Sequence, residues 1–318
     1  MGKETFAARI VDVTKISHDE WLDTRRTGIG GSDSSTIVGL NPYNSPYALY
    51  LDKIGDCAEK PDNEAMRQGR DFEQYVADRW MEATGKKCRR NNFMWRSTRW
   101  PYMLADIDRE IVGENAGLEC KTTSVYNKSD LAGGEIPQTY YVQCQHYMAV
   151  LGFDRMYLAV LVLNRGFYHF VIERDEAEIE ALAAAEGEFW QCITNQQPPE
   201  VDGSEATVNA IKKQYPEAAA DLPLMELGKN TADDLAALAE INADIKSLKD
   251  SGEAIKARIM AEMGECPVAA APGWNISWKN QSRKSIDSKK LKVEYPEAYD
   301  SCLSESSSRV FRFTKAKN

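Results

Sequence analysis

The sequence predicts an α/β fold, in which helices flank a mixed central sheet and a smaller α+β extension follows. Three features predict it. An uninterrupted apolar run at 156–163 has the length of a buried strand, so strands are expected near 155–164 and 167–173. Alternating polarity around 101–123 predicts a β-hairpin. Apolar residues recur at helical spacing in three further segments, 70–85, 138–151 and 175–195.

Length and composition predict a second region after the core. The chain has 318 residues, which exceeds the usual size of one domain, and its charge and helical character change after about residue 200. We therefore expect a core over 1–200 and an extension of helix and strand over 201–318.

The extension has its own local signals. Apolar residues follow heptad-like steps after Thr231, which predicts a helix interrupted at Gly252. This stripe is more often a face for packing within one chain, so no coiled-coil partner is inferred. Alternation at 274–278 and again at 309–313 predicts two strands.

The hairpin carries the residues with the most specific chemistry. We expect one strand at 103–112, a turn at 113–117 and a second strand at 118–122. Side chains on a strand alternate between its faces, so Glu119 and Lys121 share one face. Asp106 and Asp108 likewise share a face of the first strand. The hairpin should therefore gather carboxylates and a lysine on adjacent strands.

This combination suits metal-dependent cleavage of a phosphodiester. Mg²⁺, or Mn²⁺ as an alternative, prefers oxygen ligands and keeps several waters, so two carboxylates with the backbone carbonyl of Cys120 can suffice. Lys121 would orient and help to deprotonate the attacking water. The alternative is a weak Glu and Lys pair on a solvated hairpin, since the pattern is short.

Four motifs in order resemble the phage lambda exonuclease family, also described as YqaJ-type viral recombinases or alkaline exonucleases, within the PD-(D/E)XK nucleases. The resemblance covers roughly the first two thirds of the chain. The motifs are residues 21–46, residues 69–73, Asp108 with the 119–121 triplet, and residues 143–148. The resemblance implies a PD-(D/E)XK, restriction-endonuclease-like core.

The resemblance also implies roles for individual residues. Asp108 and Glu119 match the metal-binding carboxylates, and Lys121 matches the catalytic lysine. Glu73 matches an additional helix acid near the metals, and Gln145 matches the helical glutamine of the site. Taken alone, Glu73 could be a solvated acid on an amphipathic helix, and Gln145 could satisfy buried backbone.

A second set of residues matches the part of the family that holds the DNA end. Arg25 and Ser32 match the residues that bind the terminal 5′-phosphate, and Trp21 matches a tryptophan near that end. Arg26 is grouped with them as a DNA-binding candidate. One departure concerns Asp106. Many relatives have a proline or a neutral residue just before the metal-binding aspartate, whereas this chain has Asp106-Ile107-Asp108. Asp106 is therefore a rival to Asp108 as the metal ligand.

Composition indicates where the protein works. The longest apolar run is far shorter than the ~20 residues of a membrane helix, and the N-terminus has no apolar signal region. The seven cysteines are scattered without a CxxC motif, which argues against a disulfide framework or zinc. We expect a cytoplasmic phage or prophage protein in a bacterial host, without membrane association.

The net charge of −10 is unusual for a protein that binds DNA. Its distribution resolves part of the conflict, because residues 86–99 combine basic and aromatic side chains and the segment after Lys279 is basic.

The function implied is a Mg²⁺-dependent 5′-to-3′ exonuclease on linear double-stranded DNA. The resemblance supplies the polarity, the mononucleotide product, a single-strand annealing partner for the 3′ overhang, and a homotrimer. Two alternatives remain open: a restriction-type endonuclease of the same fold, and a non-catalytic scaffold for DNA ends or recombination. Cleavage of circular DNA distinguishes the first, and unchanged turnover in Glu119→Ala would indicate the second.

Overall fold

The computed structural model describes residues 6–56, 62–124, 131, 133–219, 221–305 and 307–316. The chain divides into two compact units, Met1–Tyr215 and Pro216–Asn318. The first unit combines helices with a mixed sheet, which confirms the predicted α/β class.

The strands of the first unit are β1 Ala7–Asp12, β2 Cys88–Arg90, β3 Phe93–Ser97, β4 Leu104–Ala105, β5 Arg109–Ile111, β6 Ala116–Thr123, β7 Arg155–Val162 and β8 Gly166–Glu173. Within the described residues, the main sheet has five strands in the order β2-β5-β6-β7-β8. The parallel pair β6 and β7 lies between antiparallel neighbours. Parallel strands need a crossover, and the helix Gln138–Leu151 lies between these two in the chain. A smaller antiparallel sheet has the order β1-β3-β4.

The helices of this unit begin and end at recognisable signals. Ser17 and Glu20 form a capping box at the start of α1, Asn63 caps α4, and the left-handed Gly85 ends it. The helices are α1 His18–Arg26, α2 Gly31–Ile37, α3 Pro46–Lys53, α4 Glu64–Thr84, α5 Gln138–Leu151, α6 Glu176–Thr194 and α7 Glu205–Gln214.

Helices cover both faces of the main sheet. On one face, α4 contributes Trp80, which packs with Leu118 and Tyr157. On the other, α5 contributes Met148, which packs with Leu158. All five side chains have at most 5% of their surface exposed, so the sheet is rigidly held at the point where β5 and β6 carry the polar residues.

The predicted strand at 103–112 is wrong as a single strand. Leu104–Ala105 pairs with β3 in the small sheet, whereas Arg109–Ile111 pairs with β6 in the main sheet. Residues 106–108 join the two sheets. The alternation is local and is satisfied in either sheet, whereas the change of sheet depends on tertiary packing.

The second unit contains a long helix and a short hairpin. Helix α8 spans Lys229–Met263, and β9 Val268–Ala271 pairs with β10 Trp274–Ser277. Two short helices follow, α9 Ser288–Glu294 and α10 Pro296–Ser301.

Two expectations for this unit are wrong. Helix α8 runs through Gly252, because a single glycine in an exposed helix costs only about 1 kcal/mol. In the described stretch 307–316, residues 309–313 form no strand, since alternation alone does not supply a neighbouring strand to pair with.

Other sequence features can be located. The six cysteines in the described part of the chain are free, and Cys57 lies outside it. Among the described residues, we find no helix with the length and apolar character needed to traverse a lipid bilayer.

Candidate active site

The carboxylates and the lysine lie together at the start of β5 and on the neighbouring strand β6. The Lys121 ammonium lies 2.7 Å from Glu119 Oε1, as expected for two side chains on one face of β6. The Cys120 N–H donates to Asp108 Oδ2 at 2.7 Å. Because the N–H and C=O of one strand residue point to the same side, the Cys120 carbonyl is directed toward Asp108 as well. The local pairing of the strands therefore brings these four residues together.

Burial and mutual repulsion raise the pKa values of both acids. Removal from water raises the pKa of Asp108 well above its ordinary value, and the negative charges of Glu119 and Glu73 raise it further. Burial likewise raises the pKa of Glu119, against the lowering effect of Lys121. Burial alone would lower the pKa of Lys121, but the charges of Glu119 and Asp108 outweigh it and raise the pKa. A further cation would relieve the repulsion between the acids.

A glutamine of helix α5 completes the surroundings of Glu119, but it is Gln143. The Gln143 amide donates to Glu119 Oε1 at 2.8 Å and to the Tyr147 hydroxyl at 3.0 Å. Gln145 instead donates to the Tyr141 hydroxyl and to the Glu173 carbonyl. Residues two apart on a helix point to nearly opposite sides, so only one of the two glutamines can face the sheet edge. The expected placement of Gln145 in the site is corrected to Gln143.

Glu73 approaches the acids from helix α4. Its carboxylate is held by Arg109, whose side chain is 3% exposed, and by Arg90 at 3.4 Å. Arg109 also donates to the carbonyl of Asp108 at 2.8 Å. The negative charge of Glu73 is felt by both Asp108 and Glu119, where it raises the pKa. The predicted helix acid therefore lies beside the site, tied to it through Arg109.

The donor set fits a divalent metal ion. Glu119 is 4% exposed, and its Oε2 atom is buried without a hydrogen-bond partner among the described residues. A buried carboxylate oxygen without a partner is costly unless a cation or water satisfies it. Among the described residues, no three His, Cys, Asp or Glu side chains converge as a ready metal cluster. Two carboxylates and the Cys120 carbonyl, completed by water and phosphate oxygens, are a sufficient set for Mg²⁺.

Asp106 has a different partner from Asp108. Its Oδ2 atom accepts a hydrogen bond from Trp21 Nε1 at 3.0 Å. Burial raises its pKa, whereas the Trp21 hydrogen bond and the charge of Arg25 lower it. Asp106 therefore lies between the acids of the sheet edge and the N-terminal helices, and it holds the Trp21 ring in place.

Arg25 and Ser32 lie side by side. Arg25 Nη2 lies 3.1 Å from Ser32 Oγ and 3.3 Å from Asp33 Oδ1, and the guanidinium stacks 4.9 Å from the Trp21 ring. Gly31 allows helix α2 to pack closely against helix α5, because a Cβ atom at this position would lie 2.6 Å from the Tyr147 ring. The two helices α1 and α2 thus place a cation and a hydroxyl side by side.

One cavity joins Arg25 and Ser32 to Asp106 and Gln143. It encloses about 120 Å³. Its walls come from α1, α2, β3, β4 and α5, and they are lined by Trp21, Arg25, Gly30, Gly31, Ser32, Met94, Leu104, Asp106, Gln143 and Tyr147. Gln143 is shared, because it lines the cavity and contacts Glu119.

Arg26 does not join this cavity. Its guanidinium bonds to Asp23 and to the carbonyl of Asp52. Successive residues on a helix point about 100° apart, so of these two arginines α1 directs only Arg25 into the cavity. A role for Arg26 in binding DNA stays a prediction.

Several residues of the site were not found from the sequence. Asp33 and Lys53 form a buried ion pair with a separation of 2.7 Å. Tyr147 connects Gln143 to the backbone carbonyl of Asp106. Single charged or aromatic residues in separate helices give no local signal, although Tyr147 lies four residues after Gln143 and hence on the same helix face.

The PD-(D/E)XK class of fold is defined by a mixed sheet with an aspartate beside a Glu-X-Lys triplet on adjacent strands. This arrangement is present here in Asp108, Glu119 and Lys121. A family model described as the YqaJ-like viral recombinase domain matches residues 20–154. The uncharacterized protein YqaJ of Bacillus subtilis (strain 168) is 37% identical over 302 residues, covering 94% of each chain. The chain belongs to the YqaJ-like viral recombinase family, as its sequence motifs imply.

The solved structures that the chain matches include two exonucleases. An alkaline exonuclease from Laribacter hongkongensis is 17% identical with a TM-score of 0.46, over 56% of this chain and 94% of that one. A phage-related exonuclease from Haemophilus somnus 129PT is 12% identical with a TM-score of 0.44, over 55% of this chain and 99% of that one.

Proposed function

We propose that the protein is a Mg²⁺-dependent 5′-to-3′ exonuclease that acts on linear double-stranded DNA, with Mn²⁺ as an alternative metal. It would release mononucleotides and leave 3′ overhangs for a single-strand annealing partner. The observation that carries the proposal is the single cavity that links Arg25 and Ser32 to Asp106 and Gln143. An anchor for a terminal phosphate beside a hydrolytic centre favours cleavage near a DNA end.

Asp108, Glu119 and the Cys120 carbonyl would hold the metal. When bound, the ion would polarise the scissile phosphate and lower the pKa of an attacking water. Gln143 and Lys121 both donate to Glu119 Oε1, which leaves Oε2 directed away from them for the ion. The two donors thus fix the orientation of the carboxylate before any substrate arrives.

Lys121 is a donor in this arrangement. Its pKa lies above the ordinary value because the charges of Glu119 and Asp108 outweigh burial, so it carries a proton at neutral pH. An ammonium can orient the attacking water by donating a hydrogen bond and can stabilise negative charge on the phosphate. Removal of the proton from the water then falls to another group or to the solvent, unless substrate binding first deprotonates the lysine.

The cavity accounts for attack at an end. Arg25 and Ser32 would bind the 5′-phosphate by charge and by hydrogen bonding. Trp21, held by Asp106 and covered by Arg25, would provide a wall for the terminal nucleotide. The resemblance to the lambda exonuclease family adds a homotrimer and a bacterial cytoplasmic setting to the proposal.

The test measures acid-soluble nucleotides released from three substrates: linear duplex with a 5′-phosphate, linear duplex with a 5′-hydroxyl, and closed circular DNA. Each is incubated with Mg²⁺ or with chelator. Metal-dependent loss of linear DNA, faster with the 5′-phosphate, supports the proposal. Cutting of circles would favour a restriction-type endonuclease, and no cleavage with any metal would favour a scaffold.

The assembly is tested separately by light scattering of the purified protein. A mass of three chains supports the homotrimer, and a monomeric mass contradicts it.

The control variant for the cleavage assay is Lys15→Ala, because Lys15 is an exposed lysine that pairs with Asp12 at the surface. This variant should degrade linear DNA at the normal rate.

A further inference from the structure

The cavity is backed by a lysine that is almost wholly removed from solvent. Lys53, at the end of α3, has 2% of its side chain exposed, and its ammonium lies 2.7 Å from Asp33 Oδ2. It also donates to the backbone carbonyl of Arg25 at 3.0 Å. A buried ammonium is costly unless it is paired, and its removal would leave Asp33 as a buried charge with one cation fewer.

Asp33 divides its two oxygens among three donors. Oδ1 faces Arg25 Nη2 at 3.3 Å, while Oδ2 takes Lys53 and the Gly30 N–H at 3.0 Å. Burial raises the pKa of Asp33, but the positive charges of Lys53 and Arg25 prevail and lower it to about 2. Asp33 is therefore ionised at neutral pH, and one carboxylate serves two cations.

The charges of Arg25, Asp33 and Lys53 contribute to what the cavity offers to a ligand, together with Asp106, which lines it. Arg25 and Asp33 alone would sum to zero, and their pairing would compete with a phosphate. With Lys53 the three groups sum to +1. Among the guanidinium nitrogens of Arg25, only Nη2 makes a hydrogen bond within the part of the chain that the structure describes. Its Nε and Nη1 atoms remain available to phosphate oxygens.

We propose that Lys53 is a positioning residue for the phosphate anchor: it neutralises Asp33, so that Asp33 can fix the Arg25 guanidinium without cancelling its charge. The inference rests on the proposed function, because it concerns the same cavity. Lys53 does not line the cavity and acts through Asp33 and Arg25.

The test compares the binding of duplex DNA with 5′-phosphate and 5′-hydroxyl ends, in chelator so that no cleavage occurs. Lys53→Met keeps the length of the side chain and removes its charge. Asp33 then pairs with Arg25 alone, so the preference for the phosphate end should fall about 10- to 100-fold. Lys15→Met, at an exposed lysine, should keep the full preference.

A double variant separates charge from packing. Asp33→Asn with Lys53→Met removes both buried charges, a change that often leaves stability nearly unaltered. Arg25 keeps its +1 charge in this variant, so most of the phosphate preference should return. A purely structural Lys53 would predict instead that the single variant loses stability while the ratio of the two affinities is unchanged.

The outcomes separate the two proposals. An unchanged ratio in Lys53→Met, or no recovery in the double variant, overturns the role of Lys53. If Lys53→Met does not fold, as judged by circular dichroism, the double variant becomes the test. Loss of the preference for the 5′-phosphate end in the double variant contradicts the charge argument. A wild-type protein that binds both ends equally overturns the inference, whereas nucleotide release from linear DNA separately decides whether the nuclease proposal stands.

Discussion

Gln143 Nε2 and Lys121 Nζ share one oxygen of Glu119, at 2.8 and 2.7 Å from Oε1. The other oxygen, Oε2, is buried and has no hydrogen-bond partner in the part of the chain that the structure describes. Two donors on Oε1 restrict the rotation of the Glu119 carboxylate, so the direction of Oε2 is fixed as well. Glu119 is thus prepared to bind a cation through Oε2.

Gln143→Ala should therefore lower turnover more than Gln145→Ala. Loss of the Gln143 amide frees the Glu119 carboxylate to rotate, and the loss of a residue that orients a metal ligand typically costs about 10- to 100-fold in activity or metal affinity. Gln145→Ala breaks bonds to Tyr141 and Glu173 instead, so it should lower the melting temperature with little change in kcat. Nucleotide release and thermal melting of both variants check this, and equal losses of kcat would contradict it.

The difference between these two glutamines shows where sequence reasoning stops. Glu119 and Lys121 could be placed together because strand side chains alternate with a period of two, which is a local property. The choice between Gln143 and Gln145 depends on how α5 is rotated against the sheet. That rotation is set by packing of residues such as Met148, and both glutamines are buried, so polarity gives no guide.

Charge pairs between distant segments were equally hidden. Lys53 and Asp33 lie in different helices, and Glu186 is far along the chain from His146. In each case, the sequence shows only an isolated charged residue. By contrast, the boundaries of α5 matched the expected 138–151, because the helix has a continuous apolar pattern and ends before Gly152.

Lys121→Met should abolish cleavage and keep DNA binding. The substitution removes the ammonium that contacts Glu119 and that would donate to the attacking oxygen, but it removes no proposed metal ligand. A loss of about 10²- to 10⁴-fold in kcat is expected, with an unchanged Kd for duplex DNA measured in chelator. Lys15→Met is the control with normal values of both. Near-normal turnover in Lys121→Met would end the assignment of a catalytic role.

Asp108→Asn should be more damaging than Asp106→Asn. Asp108 faces Glu119 and the Cys120 backbone, whereas Asp106 accepts from Trp21. Binding of Mg²⁺ to the native state raises the melting temperature by mass action, so Asp108→Asn should abolish the shift produced by Mg²⁺ and Asp106→Asn should retain it. The reverse ranking would make Asp106 the metal ligand. Because melting is measured without DNA, this result does not depend on turnover.

Stability at alkaline pH should depend on His146. This residue is fully buried, with Nδ1 at 2.9 Å from Glu186 Oε1 and Nε2 at 2.8 Å from the carbonyl of Leu104. Both ring nitrogens face acceptors, an arrangement that an imidazolium with two N–H donors satisfies. Burial alone would lower its pKa, but the charge of Glu186 and the two hydrogen bonds raise it above the ordinary 6.5.

A folded-state pKa above the unfolded value means that the stabilisation is complete below pH 6.5 and is lost as the pH rises through the folded-state pKa. The difference in melting temperature between the wild type and His146→Gln should therefore be larger at pH 6 than at alkaline pH, a dependence that thermal melting across this range measures. His169→Gln, at an exposed histidine of β8, serves as the control variant. A difference that stays constant with pH would mean that folding does not change the proton affinity of His146, and it would contradict the prediction.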